Sequence, residues 1–126
     1  MIKIAIIEDD ALIAQMYRMK FEVEGFDVDV AATGISGIDM VEARRPDLLL
    51  LDLTLPDING EEVLKKIRKI PEMLTMPVVV LTNIDSESAP KSLARWDIDE
   101  YIVKANFTPR EVVAKVKDVM KKRGMQ

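Results

Sequence analysis

Residues 48–60 read LLLLDLTLPDING. Four leucines run into Asp52, and the turn residues Pro56, Asp57, Asn59 and Gly60 follow at once. A continuous apolar run closed by turn signals reads as a strand buried on both faces, the kind found inside a parallel sheet. Asp52 then stands at the carboxyl end of that strand, where the chain leaves the core. A carboxylate there either caps a loop or works in a site, and the rest of the chain has to decide between the two.

Upstream, residues 2–7 form a second apolar strand, mostly β-branched, followed directly by Glu8, Asp9 and Asp10. Leu12, Met16, Met19 and Val23 recur at helical spacing, Gly25 ends that helix, and Asp10 is placed to cap its start. Residues 27–31 alternate polar and apolar, as a strand exposed on one side does. Thr33 and Gly34 open a second helix carrying Ile38 and Val41, and Pro46 closes it. Downstream, a helix from about Gly60 places Val63, Ile67 and Ile70 on one face, with Asp57 and Asn59 read as turn residues before it. Residues 78–81 are another apolar strand, ending at Thr82. Residues 86–96 read as a weaker helix, because Pro90 fits only a first turn and Ala89, Leu93 and Trp96 give a thin stripe. A short strand at 101–103 ends at Lys104. Thr108-Pro109-Arg110-Glu111 then has capping-box spacing, and Val112, Val116 and Val119 make the last helix amphipathic.

Strand and helix alternate five times, which predicts an α/β fold: a doubly wound parallel sheet with helices on both faces. Strands one, three and four are continuous apolar runs, as central strands are, whereas strand two alternates and strand five is short, as edges are. The order 2-1-3-4-5 satisfies these patterns. It makes strands one and three neighbours at the switch point, whose crevice beyond the carboxyl ends is where ligands bind in open sheets.

Composition narrows the chemistry. At 126 residues the chain is sized for one domain, residues 1–126, with 48% hydrophobic and 32% charged residues. It holds no cysteine and no histidine, which removes disulfides, thiolate and imidazole metal sites, and triads built on histidine. A bound metal must be held by oxygen, which points to Mg²⁺, Ca²⁺ or Mn²⁺. The net charge of −4 argues against direct nucleic-acid binding, and the cluster Lys115, Lys117, Lys121, Lys122 and Arg123 reads as cations at a helix C-terminal end. No apolar run reaches the length of a membrane span and no signal pattern opens the chain, so the cytoplasm is the default expectation.

In the expected topology the strand ends bring together Glu8 and Asp9, Asp52, Thr82 and Lys104. Three carboxylates in one crevice repel each other, and a hard divalent cation with open positions, Mg²⁺ rather than a calcium cage, relieves that repulsion. A lysine and a hydroxyl beside them suit a phosphoryl group bridged to the metal.

This constellation closely resembles the receiver domain of response regulators in two-component signal transduction, a flavodoxin-like (βα)5 fold of the CheY-like superfamily. IIEDD at 6–10, LDLTLPDING at 51–60, VVVLTN at 78–83 and YIVKAN at 101–106 fall in family order, so the resemblance covers essentially the whole chain. It implies that Asp52 accepts a phosphoryl group from the phosphohistidine of a sensor histidine kinase or a histidine phosphotransfer protein. It further implies that Asp9 binds Mg²⁺ (or Mn²⁺) directly and Glu8 through water, with the backbone carbonyl of Thr54 as a further ligand. Lys104 would pair with the phosphoryl oxygens, the Thr82 hydroxyl would swing toward them, and Tyr101 would follow as the aromatic switch. The output would be a downstream protein partner, bound by the face of the fourth helix, fifth strand and fifth helix, on a monomer or a weak dimer formed through that face.

Four departures from the family pattern bear on these roles. Ala105 stands where the family usually has proline after a cis bond. A cis bond before a non-proline residue costs roughly 2.5–4 kcal/mol, so a trans Lys104–Ala105 bond is expected. Asn83 is larger than the family's preferred residue, and Ile84 replaces what is often a polar one, which together imply slow hydrolysis of the phosphorylated state. Asp97 and Ile98 replace a common Gly-Ala and leave the fourth helix weakly fixed. A haloacid-dehalogenase-like phosphatase would need a second aspartate at position 54, where Thr54 stands. A degenerate receiver, acting as a protein-interaction module without phosphorylation, is the alternative reading. The chain ends soon after its fifth helix, as a stand-alone regulator or a receiver cut from a longer protein would.

Overall fold

A computed structural model describes residues 1–125. The elements run β1 (Lys3–Ile7), α1 (Ala11–Val23), β2 (Asp27–Ala31), α2 (Gly34–Arg44), β3 (Leu48–Leu51), α3 (Gly60–Ile67), β4 (Val78–Thr82), β5 (Glu100–Val103) and α4 (Pro109–Lys122). The sheet is parallel throughout and ordered β2-β1-β3-β4-β5, the order expected from the strand patterns. It is the flavodoxin-like doubly wound (βα)5 arrangement.

Alternate strand residues face opposite ways, so each central strand feeds two cores. Ile4, Ile6, Leu48 and Leu50 pack with Phe21 of α1 and Val116 of α4 on one face. Ala5, Ile7, Leu49 and Leu51 pack with Val41 of α2 and Val63 and Ile67 of α3 on the other. That is why the four leucines carry no polar interruption: all four are buried. Leu93, in the fourth crossover, joins the α2–α3 face.

Helix ends follow their capping residues. Asp10 accepts from the Leu12 and Ile13 amides at 3.0 Å, Thr33 and Ser36 form a reciprocal box on α2, and Thr108 and Glu111 do the same on α4. Asn59, expected to be only a turn residue, caps α3 by accepting from the Glu62 amide at 2.9 Å. Gly60 allows α3 to start against the end of β3. A Cβ there would lie 2.6 Å from Leu53 Cα and 2.7 Å from the Asp52 carbonyl oxygen.

Two expectations need correcting. Of the stripe Leu12, Met16, Met19 and Val23, only Met16 packs against the core; the other three are exposed, and Ala14, Tyr17 and Phe21 are buried instead. Apolar residues occupy both sides of α1, and the side with the aromatic rings packs because it buries more area. The weak helix at 86–96 is two 3₁₀ pieces, Ser86–Ser88 and Lys91–Trp96, with Ala89 and Pro90 extended between them. Pro90 precedes the second piece as its N-cap, and Leu93 is that piece's one buried residue, so little packing supports a longer helix. No helix among the described residues is long and apolar enough to cross a membrane.

Candidate phosphoacceptor and metal site

The register of the central strands sets the site. Ile7 pairs with Leu51, so the next residues, Glu8 and Asp52, emerge side by side, and the Asp52 amide donates to the Ile7 carbonyl at 3.0 Å. β4 runs further before it ends and delivers Thr82, which pairs with Val103, the residue before Lys104. These ends open into a cleft of about 270 Å³ that Asp9, Thr54 and Asn83 also line.

Asp52 is only 6% exposed, yet both its oxygens have partners. Oδ1 accepts from the Thr82 hydroxyl at 2.7 Å and from the Thr54 amide at 3.1 Å. Oδ2 accepts from Lys104 Nζ at 3.0 Å. The same ammonium donates to Glu8 Oε1, while Glu8 Oε2 accepts from the Asp10 amide at 3.0 Å. Lys104 thus lies between two buried carboxylates and offsets their repulsion. Burial pushes the Glu8 carboxyl up, against the opposing hydrogen bonds from Lys104 and the Asp10 amide. Burial alone would lower the Lys104 ammonium, but its bonds to Glu8 and Asp52 outweigh that and hold it above the ordinary lysine value.

Glu8, Asp9 and Asp52 each offer an oxygen, and the three lie within 4.8 Å of one another. An all-oxygen set of three carboxylates fits a hard divalent cation such as Mg²⁺ or Mn²⁺. Asp9 is exposed and Glu8 buried, so the cation side of the cleft is open to solvent while its floor is not.

The remaining candidates fall into place less uniformly. Thr82 is fully buried with its hydroxyl on Asp52. Tyr101 is half-buried on β5 and donates to the Ile84 carbonyl at 2.7 Å, tying the β4 exit loop; burial, then the nearby Asp85 and Asp52 charges, raise its phenol. The Lys104–Ala105 bond is trans, as expected; residues Lys104–Asn106 form a 3₁₀ turn, and the lysine reaches Glu8 and Asp52 without proline after it. Two residues that sequence reasoning passed over also matter. Asp57, read as a turn residue, binds the start of α2. Arg68, buried at the far end of α3, donates to the carbonyls of Met73, Met76, Trp96 and Asp97. A charged residue one step beyond a helix carries no sequence signal that it will turn inward.

A parallel α/β sheet with an acidic trio, a buried threonine and a lysine at its switch-point crevice defines a narrow class of flavodoxin-like proteins. Comparison with known proteins gives the family. The chain belongs to the response regulator receiver domain family, whose model matches residues 4–117, and is a receiver of two-component signalling. It is 35% identical over 120 residues to the phosphate regulon transcriptional regulatory protein PhoB of Rhizobium meliloti, covering 95% of this chain. The chain spans about half of that regulator's length, 52%. Among solved structures it resembles the Francisella response regulator 1452 receiver domain, with a TM-score of 0.84 and 28% identity over 98% of this chain and 99% of that one. A CheY-like receiver domain protein from Methanospirillum hungatei gives 0.83 and 28%, over 98% and 97% of the two chains.

Proposed function

We propose that this receiver accepts a phosphoryl group on Asp52 from the phosphohistidine of a sensor kinase or a histidine phosphotransfer protein. The observation that carries the reading is Asp52 itself: a buried carboxylate at a central strand end, with a hydroxyl on one oxygen and an ammonium on the other. The absence of histidine from the chain agrees with a donor imidazole supplied by another protein or domain.

A carboxylate oxygen of Asp52 attacks phosphorus, the phosphorus–nitrogen bond breaks, and the electron pair returns to the donor imidazole. Lys104 is placed to leave the carboxylate and pair with the phosphoryl oxygens, and the Thr82 hydroxyl to turn from Oδ1 toward one of them. Glu8, Asp9 and the Asp52 carboxylate, with the Thr54 carbonyl, are the residues that would hold Mg²⁺. That ion would supply charge neutralisation for the transferred group. Displacement of Thr82 removes a neighbour of the Ile84 amide, 3.4 Å from its Oγ1, and Tyr101 holds the carbonyl of that same residue. The switch therefore reaches the face formed by Lys91–Trp96, β5 and α4, where a downstream protein or a second copy would bind. Asn83 at the cleft mouth and the apolar Ile84 beside it disfavour attack by water, which makes the phosphorylated state long-lived.

Incubation with a small phosphodonor and Mg²⁺, followed by intact mass measurement, tests the reading. A single phosphoryl addition that needs the metal and is lost in Asp52→Ala is the expected result. No addition to the parent protein would favour the phosphorylation-independent binding module.

A further inference from the structure

The loop that follows Asp52 is held at two points, and the two anchors differ. At its far end the Gly60 amide donates to the Leu53 carbonyl at 2.9 Å, a bond local to the loop. At its middle Asp57 reaches across to another element. Its Oδ1 accepts from the Gly34 amide and its Oδ2 from the Ile35 amide, each at 2.8 Å. These are the first two amides of α2, which no intrahelical carbonyl can satisfy. Thr33 already serves the next two, through its side chain to Ser36 and its carbonyl to Gly37. Position 34 must be glycine for the approach, since a Cβ would lie 2.6 Å from Ile58 Cγ1 and 3.2 Å from the Asp57 oxygen.

The start of α2 is in turn tied to the acidic side of the site. β2 ends at Ala31, two residues before the Thr33 cap, and the Ala31 carbonyl accepts from the Glu8 amide at 3.0 Å. A path of backbone and hydrogen bonds therefore runs from Glu8 through Ala31 and the first turn of α2 to the Asp57 carboxylate. From Asp57 it returns along three residues to Thr54. Glu8 and Thr54 flank the crevice from β1 and β3, so the path closes around the outside of the site.

From this geometry we propose that Asp57 is a positioning residue for the cation-binding side of the site. By clamping the loop to α2 it fixes the Thr54 backbone relative to Glu8 and Asp9. Asp57 touches neither the reacting carboxylate nor the acidic trio; it acts through the loop. The inference rests on the reading above that Glu8, Asp9, Asp52 and Thr54 hold Mg²⁺. Residues behind a metal's ligands commonly change affinity by tenfold or more when removed, and Asp57 stands one step further out, so a roughly three- to tenfold effect is expected.

The test titrates Mg²⁺ alone, by calorimetry, into the parent protein, Asp57→Asn, Asp57→Ala and Thr33→Ala. Thr33→Ala removes a cap from the same helix and leaves the Asp57 clamp in place, so it separates loop positioning from plain loss of helix stability. Expected are a threefold to tenfold weaker dissociation constant in both Asp57 variants, faster amide exchange at Gly34 and Ile35, and parental affinity in Thr33→Ala. Saturating Mg²⁺ should return the phosphorylation rate of Asp57→Asn to within about twofold of the parent, the split that a positioning role requires. Parental affinity in the Asp57 variants, or an equal loss in Thr33→Ala, overturns the positioning role and leaves the metal site standing. A parent protein that takes up no Mg²⁺ overturns the site reading and the positioning role together.

Discussion

Replacing Lys104 with methionine would leave Glu8 and Asp52 facing each other without the cation between them. All three side chains are at most 10% exposed, so solvent screens the pair only through the mouth of the cleft. Two carboxylates with oxygens within 4.8 Å repel by roughly 3–4 kcal/mol at an effective dielectric near 20. Methionine recovers about 1 kcal/mol of that through its own apolar contacts. The net loss expected is therefore about 2–3 kcal/mol, a drop in melting temperature of roughly 6–15 °C for a domain of this size. Circular dichroism melts at neutral pH in chelator measure it. Added Mg²⁺ should return part of the loss, because a dication can take over the charge that Lys104 carried. A variant that melts at or above the parent in chelator would refute the view that Lys104 holds the acidic site together before phosphorylation.

Other consequences can be checked singly. Arg68→Met strips hydrogen bonds from four carbonyls, Met73 and Met76 before β4 and Trp96 and Asp97 at the end of the fourth crossover, and should cost roughly 3 kcal/mol in urea unfolding. Because one of those carbonyls belongs to Trp96, the chain's single tryptophan, its emission should shift to longer wavelength in the same variant, and unchanged emission would remove the clamp. The Asp57 carboxyl should titrate below the ordinary aspartate value, held down by the Ile35 amide first and then the Gly34 amide. A depressed group stabilises the fold above its unfolded value and loses that contribution as pH falls through its folded value. Carboxyl-carbon NMR should therefore show Asp57 still ionised at a pH where an ordinary aspartate is already protonating, and a midpoint at the ordinary value would contradict the α2 bonds. Asn83→Ala should shorten the lifetime of phosphorylated protein severalfold, followed as loss of phosphoryl label; equally fast decay in parent and variant would sink the slow-hydrolysis reading.

Which strands are central was legible because burial on two faces leaves a mark that a single sequence can carry, and the order 2-1-3-4-5 satisfied that mark and matched the family resemblance. Leu48–Leu51 and Val78–Leu81 have no polar positions to spare, whereas residues 27–31 alternate, and that contrast, with the shortness of strand five, separates centre from edge. With the order in hand, register brought Glu8, Asp52, Thr82 and Lys104 together at the strand ends. What escaped was decided by competition or by distance along the chain. On α1 both sides are apolar, and periodicity cannot say that Tyr17 and Phe21 win the core while Leu12 and Val23 stay in solvent. In the fourth crossover Leu93 alone is buried, too little to make six residues of 3₁₀ geometry into a regular helix. The bonds of Asp57 to residues 22 and 23 positions earlier, and of Arg68 to carbonyls up to 29 positions later, have no local signature at all.

The central claim is that Asp52 is the acceptor, and locating the phosphoryl group measures this most directly. Borohydride reduces an aspartyl phosphate to homoserine, so peptide mapping after phosphodonor treatment marks the residue that carried it. Homoserine at position 52 in the parent protein, formed only with Mg²⁺ present, is the result the structure leads us to expect. Homoserine at Asp9 or another aspartate, or none in a protein that still binds its partners, would contradict it.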